Sequence, residues 1–310
     1  MVLPVFCGSA LRGILFRRLF SHFCRHRPMC SKRCARPAEC RARQFGPEHS
    51  AASALWILDP PVPQELEAIA YGGPVEFPFR EGPPMERGQD SSVNSQVPMT
   101  LEAGVPIPVG LTFAESSVAL LPEIVEALTA LPLERAGGRG QFVLERIRDL
   151  ADAGRVLYYR GLPIPTQSPL VLPVDAGARA LRHAIRVCCQ TPWCLRIGDR
   201  YCFSMADAAA HFLTSCYTRS AQVLEMVTSQ KPPFHEPPRL HVDEATGYRF
   251  RWLRRRLDET EPMDFDGLTG CFDLSGPLAP YAPLLRAAEI LHVGQKTAFG
   301  MGKVAVFGLE

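Results

Sequence analysis

Residues 8–23 set Leu11, Leu15, Leu19 and Phe23 four apart, while Arg17, Arg18 and Ser21 fall largely on the other side. That spacing predicts an amphipathic helix. Gly8 and Ser9 supply its start, and Pro28 blocks extension much beyond His26. A stretch rich in Pro, Gly and Ser over 72–98 reads as a long loop. Val105–Phe113 then reads as a strand, Val118–Leu131 as a helix, Gln141–Ile147 as a second strand and Arg155–Tyr159 as a short edge strand.

The second half has a cleaner order. Strand-like Ser168–Val174 is followed by helical Met205–Gln230, with Phe212, Leu213, Leu224 and Val227 as core positions. Arg239–Leu253 and Gly267–Leu274 read as strands, Tyr281–Leu291 as a helix and Lys303–Leu309 as a last strand. The order β-α-β-β-α-β is the ferredoxin-like arrangement that RNA-recognition modules share. The first half repeats it from its helix onward but lacks an opening strand, because only Met1–Phe6 precede the helix and Pro4 interrupts them. The pattern predicts an α+β protein with tandem ferredoxin-like domains over 1–160 and 165–310. The first carries a cysteine-bearing insert at 24–40, the second a glycine-rich loop at 292–303.

Charge sharpens this picture. The net charge is +2, yet residues 1–46 carry ten Arg or Lys against the single Glu39, a block of +9 that leaves −7 for the remainder. Such a block suits a polyanion, because each neutralised phosphate releases counterions. An Arg-rich, acid-poor amphipathic start also describes a transit segment, but four cysteines and two prolines within 24–40 fit that poorly. No run of eighteen apolar residues occurs, so no membrane-spanning helix is expected.

Four of the eleven cysteines cluster early and five lie between Cys188 and Cys216. A secreted disulfide scaffold would be shorter and cysteine-dense throughout, so a cytoplasmic protein with reduced thiols is expected. Cys24, Cys30, Cys34 and Cys40, spaced C-x5-C-x3-C-x5-C, could hold a structural zinc as four thiolates or remain free thiols. Cys188, Cys189, Cys194 and Cys202 lack paired spacing and read as core or incidental residues.

Chemistry concentrates in His292-Val-Gly-Gln-Lys-Thr-Ala-Phe-Gly-Met-Gly-Lys303. Gly294, Gly300 and Gly302 allow positive φ and close backbone approach, and unpaired N–H groups there could cradle a phosphate between Lys296 and Lys303. A tight helix-to-strand connection with no ligand fits the same spacing. In Tyr248-Arg-Phe-Arg-Trp252 a strand would turn the aromatics one way and Arg249 and Arg251 the other. The aromatics read as core, the arginines as phosphate contacts.

The segment ILHVGQKTAFGMGKV resembles the C-terminal glycine-rich loop of the CRISPR-associated pre-crRNA-processing endoribonucleases, the sixth Cas family within the RAMP superfamily. GSALRG after Leu3-Pro4 is similar to that family's N-terminal helix, and the early cysteines to an insert in one branch. GGRGQFVLERI over 137–147 resembles the end of its first domain, and Phe265-Asp-Gly-Leu-Thr-Gly270 its penultimate strand. These matches run in order along nearly the whole chain.

The resemblance implies an antiviral-defence enzyme that cuts CRISPR repeat RNA without a metal or small-molecule cofactor. A 2′-hydroxyl would attack the adjacent phosphate to leave a 2′,3′-cyclic phosphate and a 5′-hydroxyl. The same superfamily also implies an alternative, a non-catalytic subunit that binds guide RNA beside other Cas effector subunits. The chemistry needs a base, an acid and cations, and histidine suits the proton transfers. Many relatives carry a histidine near the middle of the first helix, where Arg17 stands here. His22, Arg17 and His292 are therefore the catalytic candidates, with His26 behind them. His292 either transfers protons or orients the loop. Arg12, Arg249, Arg251, Gly294, Lys296, Gly300, Gly302 and Lys303 are the candidate RNA contacts.

Overall fold

A computed structural model describes residues 2–4, 7–24, 56–61, 93–94, 98–100, 106–113, 121–128, 130–133, 140–148, 156–159, 162–163, 183–228, 240–254 and 263–309. Strand β1 (Val2–Pro4) pairs antiparallel with 98–100 and leads into helix α1 (Gly8–Phe23). The opening strand expected to be missing is thus present, three residues long. Pro4 is tolerated because a short edge strand with one partner has few ladder bonds to lose. Leu11, Leu15 and Leu19 of α1 are buried as their spacing requires. They pack with Ile124, Ala127 and Leu128 of helix α2 (Leu121–Leu128) and with Leu58.

Leu58 belongs to β2 (Trp56–Asp59), a strand the sequence reading did not mark, which pairs antiparallel with Gly110–Phe113. Of the other described strands of this half, 130–133 pairs with 140–143 and 146–148 with 156–159, which also pairs with 162–163. Val93–Asn94 joins the edge of the C-terminal sheet, parallel to Phe250 and Arg251.

The C-terminal half is built on one sheet. Strand β3 (Ala184–Cys189) lies between β4 (Met263–Ser275) and β5 (Val304–Gly308), and β4 also pairs with β6 (His241–Arg254). In chain order that is 4-1-3-2, each pair antiparallel, as a ferredoxin-like unit requires. Its first strand is Ala184–Cys189; the predicted Ser168–Val174 lies outside the described residues.

Two helices, α3 (Met205–Ala210) and α4 (Phe212–Thr228), and then α5 (Ala282–Leu291) cover one face. Ile185, Val187 and Cys189 alternate inward beneath them, while Arg186 on the other face forms a bidentate pair with Asp273 at 2.7 Å. Phe212 and Leu213 join this core, but the predicted core position Leu224 is exposed. Trp193 anchors the cluster, edge-on to Phe212 at 5.8 Å and stacked on Phe272 at 6.0 Å.

The expectation of reduced thiols is corrected at one place. Cys188 and Cys271, 83 residues apart, form a disulfide across β3 and β4. The sheet register sets them directly opposite, which linear spacing could not reveal.

Candidate nucleic-acid interface

The glycine-rich segment leaves the end of α5 at His292, where φ is 61°. It passes through a single 3-10 turn, Thr297–Phe299, and enters β5. Gly300 and Gly302 take φ of 80° and 74°. A Cβ on Gly302 would collide with the Val293 carbonyl, and one on Gly300 would reach 2.6 Å from Pro60 Cγ. Glycine is required here because neighbouring backbone and proline occupy the side-chain position.

Three side chains fasten this loop. Thr191 accepts the Lys303 N–H at 2.9 Å and donates to the Gly300 carbonyl at 2.8 Å. Arg12 of α1, only 5% exposed, gives Nη1 to the Ala298 carbonyl at 2.7 Å and lies over the Phe299 ring at 5.5 Å. Asp59, the last residue of β2, accepts from Lys303 Nζ at 3.1 Å and from His292 Nε2 at 3.0 Å.

His292 itself is 1% exposed, and its Nδ1 meets the Met301 carbonyl at 3.2 Å. Both ring nitrogens therefore face oxygen acceptors, and both bonds form together only when each nitrogen carries a hydrogen. Burial pushes the Asp59 carboxyl up, but the hydrogen bonds and charges of His292 and Lys303 outweigh it, so its pKa is lowered.

The other candidates are dispersed. His22 is exposed near the end of α1, its Nε2 4.0 Å from Glu126. Ten residues separate it from Arg12, about 15 Å along a helix axis, so the fold does not bring His22 and His292 together. Arg17 lies between them on α1, its side chain outside the description. Arg249 is paired bidentately with Asp266 at 2.7 and 2.9 Å and lies over Phe203 at 3.8 Å. Arg251 is half exposed, 3.9 Å from Asp266. Of the alternating aromatics, Phe250 is buried beside Phe265 and Met301 on the face opposite the helices, with Tyr248 packed against that cluster. The Trp252 side chain lies outside the description.

Lys296, in the left-handed region at φ 58°, lies over Phe265 at 4.7 Å and Tyr201 at 5.7 Å. Cys24 is buried with a free thiol, and Cys30, Cys34 and Cys40 lie outside the described residues. Asp59 and Thr191 escaped the sequence reading. The one signal for Asp59 was a carboxylate ending an apolar run before Pro60 and Pro61.

Sheet order, helices and loop define a ferredoxin-like α+β protein. Residues 187–304, which hold the whole glycine-rich loop, match the family model of CRISPR-associated endoribonuclease Cas6. The resemblance to that family is borne out. Among solved structures the chain is similar to a Cas6 product complex at 16% identity, covering 99% of this chain and 97% of that one with a TM-score of 0.49. It is also similar to a chain of a Cas6-RT-Cas1–Cas2 complex at 12% identity, covering 100% of this chain and 46% of that one, with a TM-score of 0.50. A Cas6-related protein from Pyrococcus furiosus aligns at 11% identity over 100% of this chain and 94% of its own, with a TM-score of 0.47. No curated protein matches the chain. Among the described residues no helix is long and apolar enough to cross a membrane.

Proposed function

We propose that this protein cuts CRISPR repeat RNA into guide RNAs. The observation that carries the reading is the family match over 187–304, which contains the glycine-rich loop. In this reading the substrate's 2′-oxygen attacks the adjacent phosphorus and the bond to the 5′-oxygen breaks. The proton leaves the 2′-hydroxyl for a base, and an acid returns one to the 5′-oxygen. Because the nucleophile is part of the substrate, no metal-bound water is required.

His292 acts as a positioning residue. Moving a proton through it would mean surrendering a bond to Asp59 or Met301 inside a closed site. Exposed His22 is then the proton-transfer candidate, with Arg17 on the same helix as the cation near the phosphate. A cytoplasmic location and association with other Cas proteins, like that in the Cas6-RT-Cas1–Cas2 complex, belong to the same reading.

The test is cleavage of the cognate repeat in excess chelator. A single 2′-deoxy substitution at the cut site should abolish cleavage and leave binding intact. His22→Ala should lower the rate by about 10²–10⁴-fold. Wild-type protein that binds the repeat but never cuts it would replace this reading with that of a guide-RNA-binding subunit.

A further inference from the structure

Tyr201 is a large ring left 42% exposed on a structured hairpin, which calls for an explanation. The hairpin is short. Arg196–Ile197 pairs antiparallel with Arg200–Tyr201, so Arg196 and Tyr201 are direct cross-strand partners. Gly198 takes φ 59° at the first turn position, and Arg196 Nη2 gives 2.8 Å to the Asp199 carbonyl. Its base is fixed, since Leu195 and Cys202 are buried and joined by a 2.9 Å backbone bond.

The preceding residue registers the hairpin to the glycine-rich loop. Cys194 bridges to Gln295, whose N–H reaches the Cys194 carbonyl at 2.7 Å. That bridge places Lys296 beside the hairpin. The result is a row of rings and cations. Arg196 Cζ is 5.3 Å from the Tyr201 centroid, Lys296 Nζ lies 5.7 Å from it, and the Phe203 ring is 6.4 Å away with a 30° tilt.

We infer that the 196–201 hairpin and Lys296 form a stacking platform for an unpaired nucleobase of the RNA, resting on the repeat-processing reading above. Three features fit single-stranded RNA. A ring 42% exposed can take any base, the cations against it can turn to the phosphates on either side, and a hairpin with a fixed base loses little freedom on binding. The ring is absent from the buried clusters, so its position is not explained by packing the core. The platform adjoins the loop held by Asp59, Arg12 and Thr191, which would fix the distance between the stacked base and the loop.

The experiment is binding of repeat RNA by fluorescence anisotropy at several salt concentrations. It is paired with quenching of 2-aminopurine in an unpaired oligonucleotide. Tyr201→Ala and Tyr201→Leu should each weaken binding about 5- to 100-fold at an unchanged salt slope, since a stacking ring is lost and no charge is. Tyr201→Phe should bind like wild type. Arg196→Ala should reduce the salt slope by about one.

Folded Tyr201→Ala and Tyr201→Leu proteins that bind like wild type overturn the platform, as does a Tyr201→Phe loss equal to that of alanine. If the wild type binds no repeat RNA yet quenches 2-aminopurine through Tyr201, the platform stands and the processing reading fails. Wild-type protein that binds neither probe overturns both.

Discussion

His292 and Asp59, 233 residues apart, share a 3.0 Å hydrogen bond that ties the glycine-rich loop to the last residue of β2. The same carboxylate holds Lys303 at 3.1 Å, so one acidic side chain restrains both ends of the loop. Replacing it with Asn keeps its shape and removes its charge. Hydrogen bonds to charged groups contribute roughly 1.5–3 kcal/mol, so Asp59→Asn should lower unfolding free energy by about that much and weaken RNA binding. Urea titration of the variant beside wild type checks the first part, and an unchanged midpoint would show that the clamp carries no stability.

Acid should release the same clamp. The folded-state pKa of Asp59 is lowered, so its contribution is fully present above the ordinary aspartate value, about 3.9. It is lost as pH falls through the lower folded value. Wild type and Asp59→Asn should therefore differ most near neutrality and draw together as pH falls below the ordinary aspartate value. Denaturant midpoints measured stepwise from pH 7 to 3 read this out, and parallel curves would sink it.

Gly302→Ala should be costly. It combines φ 74° with a Cβ driven against the Val293 carbonyl, and the penalty should exceed about 1 kcal/mol. Gly308→Ala is the matched control, since a Cβ there meets nothing within 4 Å. Thermal unfolding of both variants makes the comparison.

The two loop lysines should behave differently toward RNA. Lys303 is clamped to the Asp59 carboxylate, and Lys296 lies over the Tyr201 and Phe265 rings beside the exposed hairpin. Lys296→Ala should reduce the slope of log affinity against log salt by about one, and Lys303→Ala by less. Equal slopes for the two variants would contradict the assignment.

Reduction of Cys188–Cys271 should destabilise the C-terminal sheet. Closing a loop of 83 residues restricts the unfolded chain by roughly 4 kcal/mol in the entropy model. Reductant should lower the unfolding midpoint of wild type and leave a Cys188→Ala, Cys271→Ala variant unmoved.

Much of the fold was legible because its causes are local. The four-residue spacing of Leu11, Leu15 and Leu19 marks one buried stripe, and alternation along 241–254 marks a strand, whatever lies next to them. Val2–Pro4 and Trp56–Asp59 were not legible, because strands of three or four residues carry too few periods to register. Leu224 was misread as core because its spacing on a helix says which residues share a face and not whether that face is covered.

The sequence by itself determined the composition of the loop. Glycines at 294, 300 and 302, flanked by His292, Lys296 and Lys303, announce a tight turn with basic surroundings. Only the tertiary structure decided what those charges do. Arg12 looked like a phosphate contact and is buried against Ala298, and Lys303 is held by Asp59. Arg249 is locked to Asp266. An ion pair is fixed by a partner's distance in space, and partners 233 or 286 residues away leave no trace in local spacing.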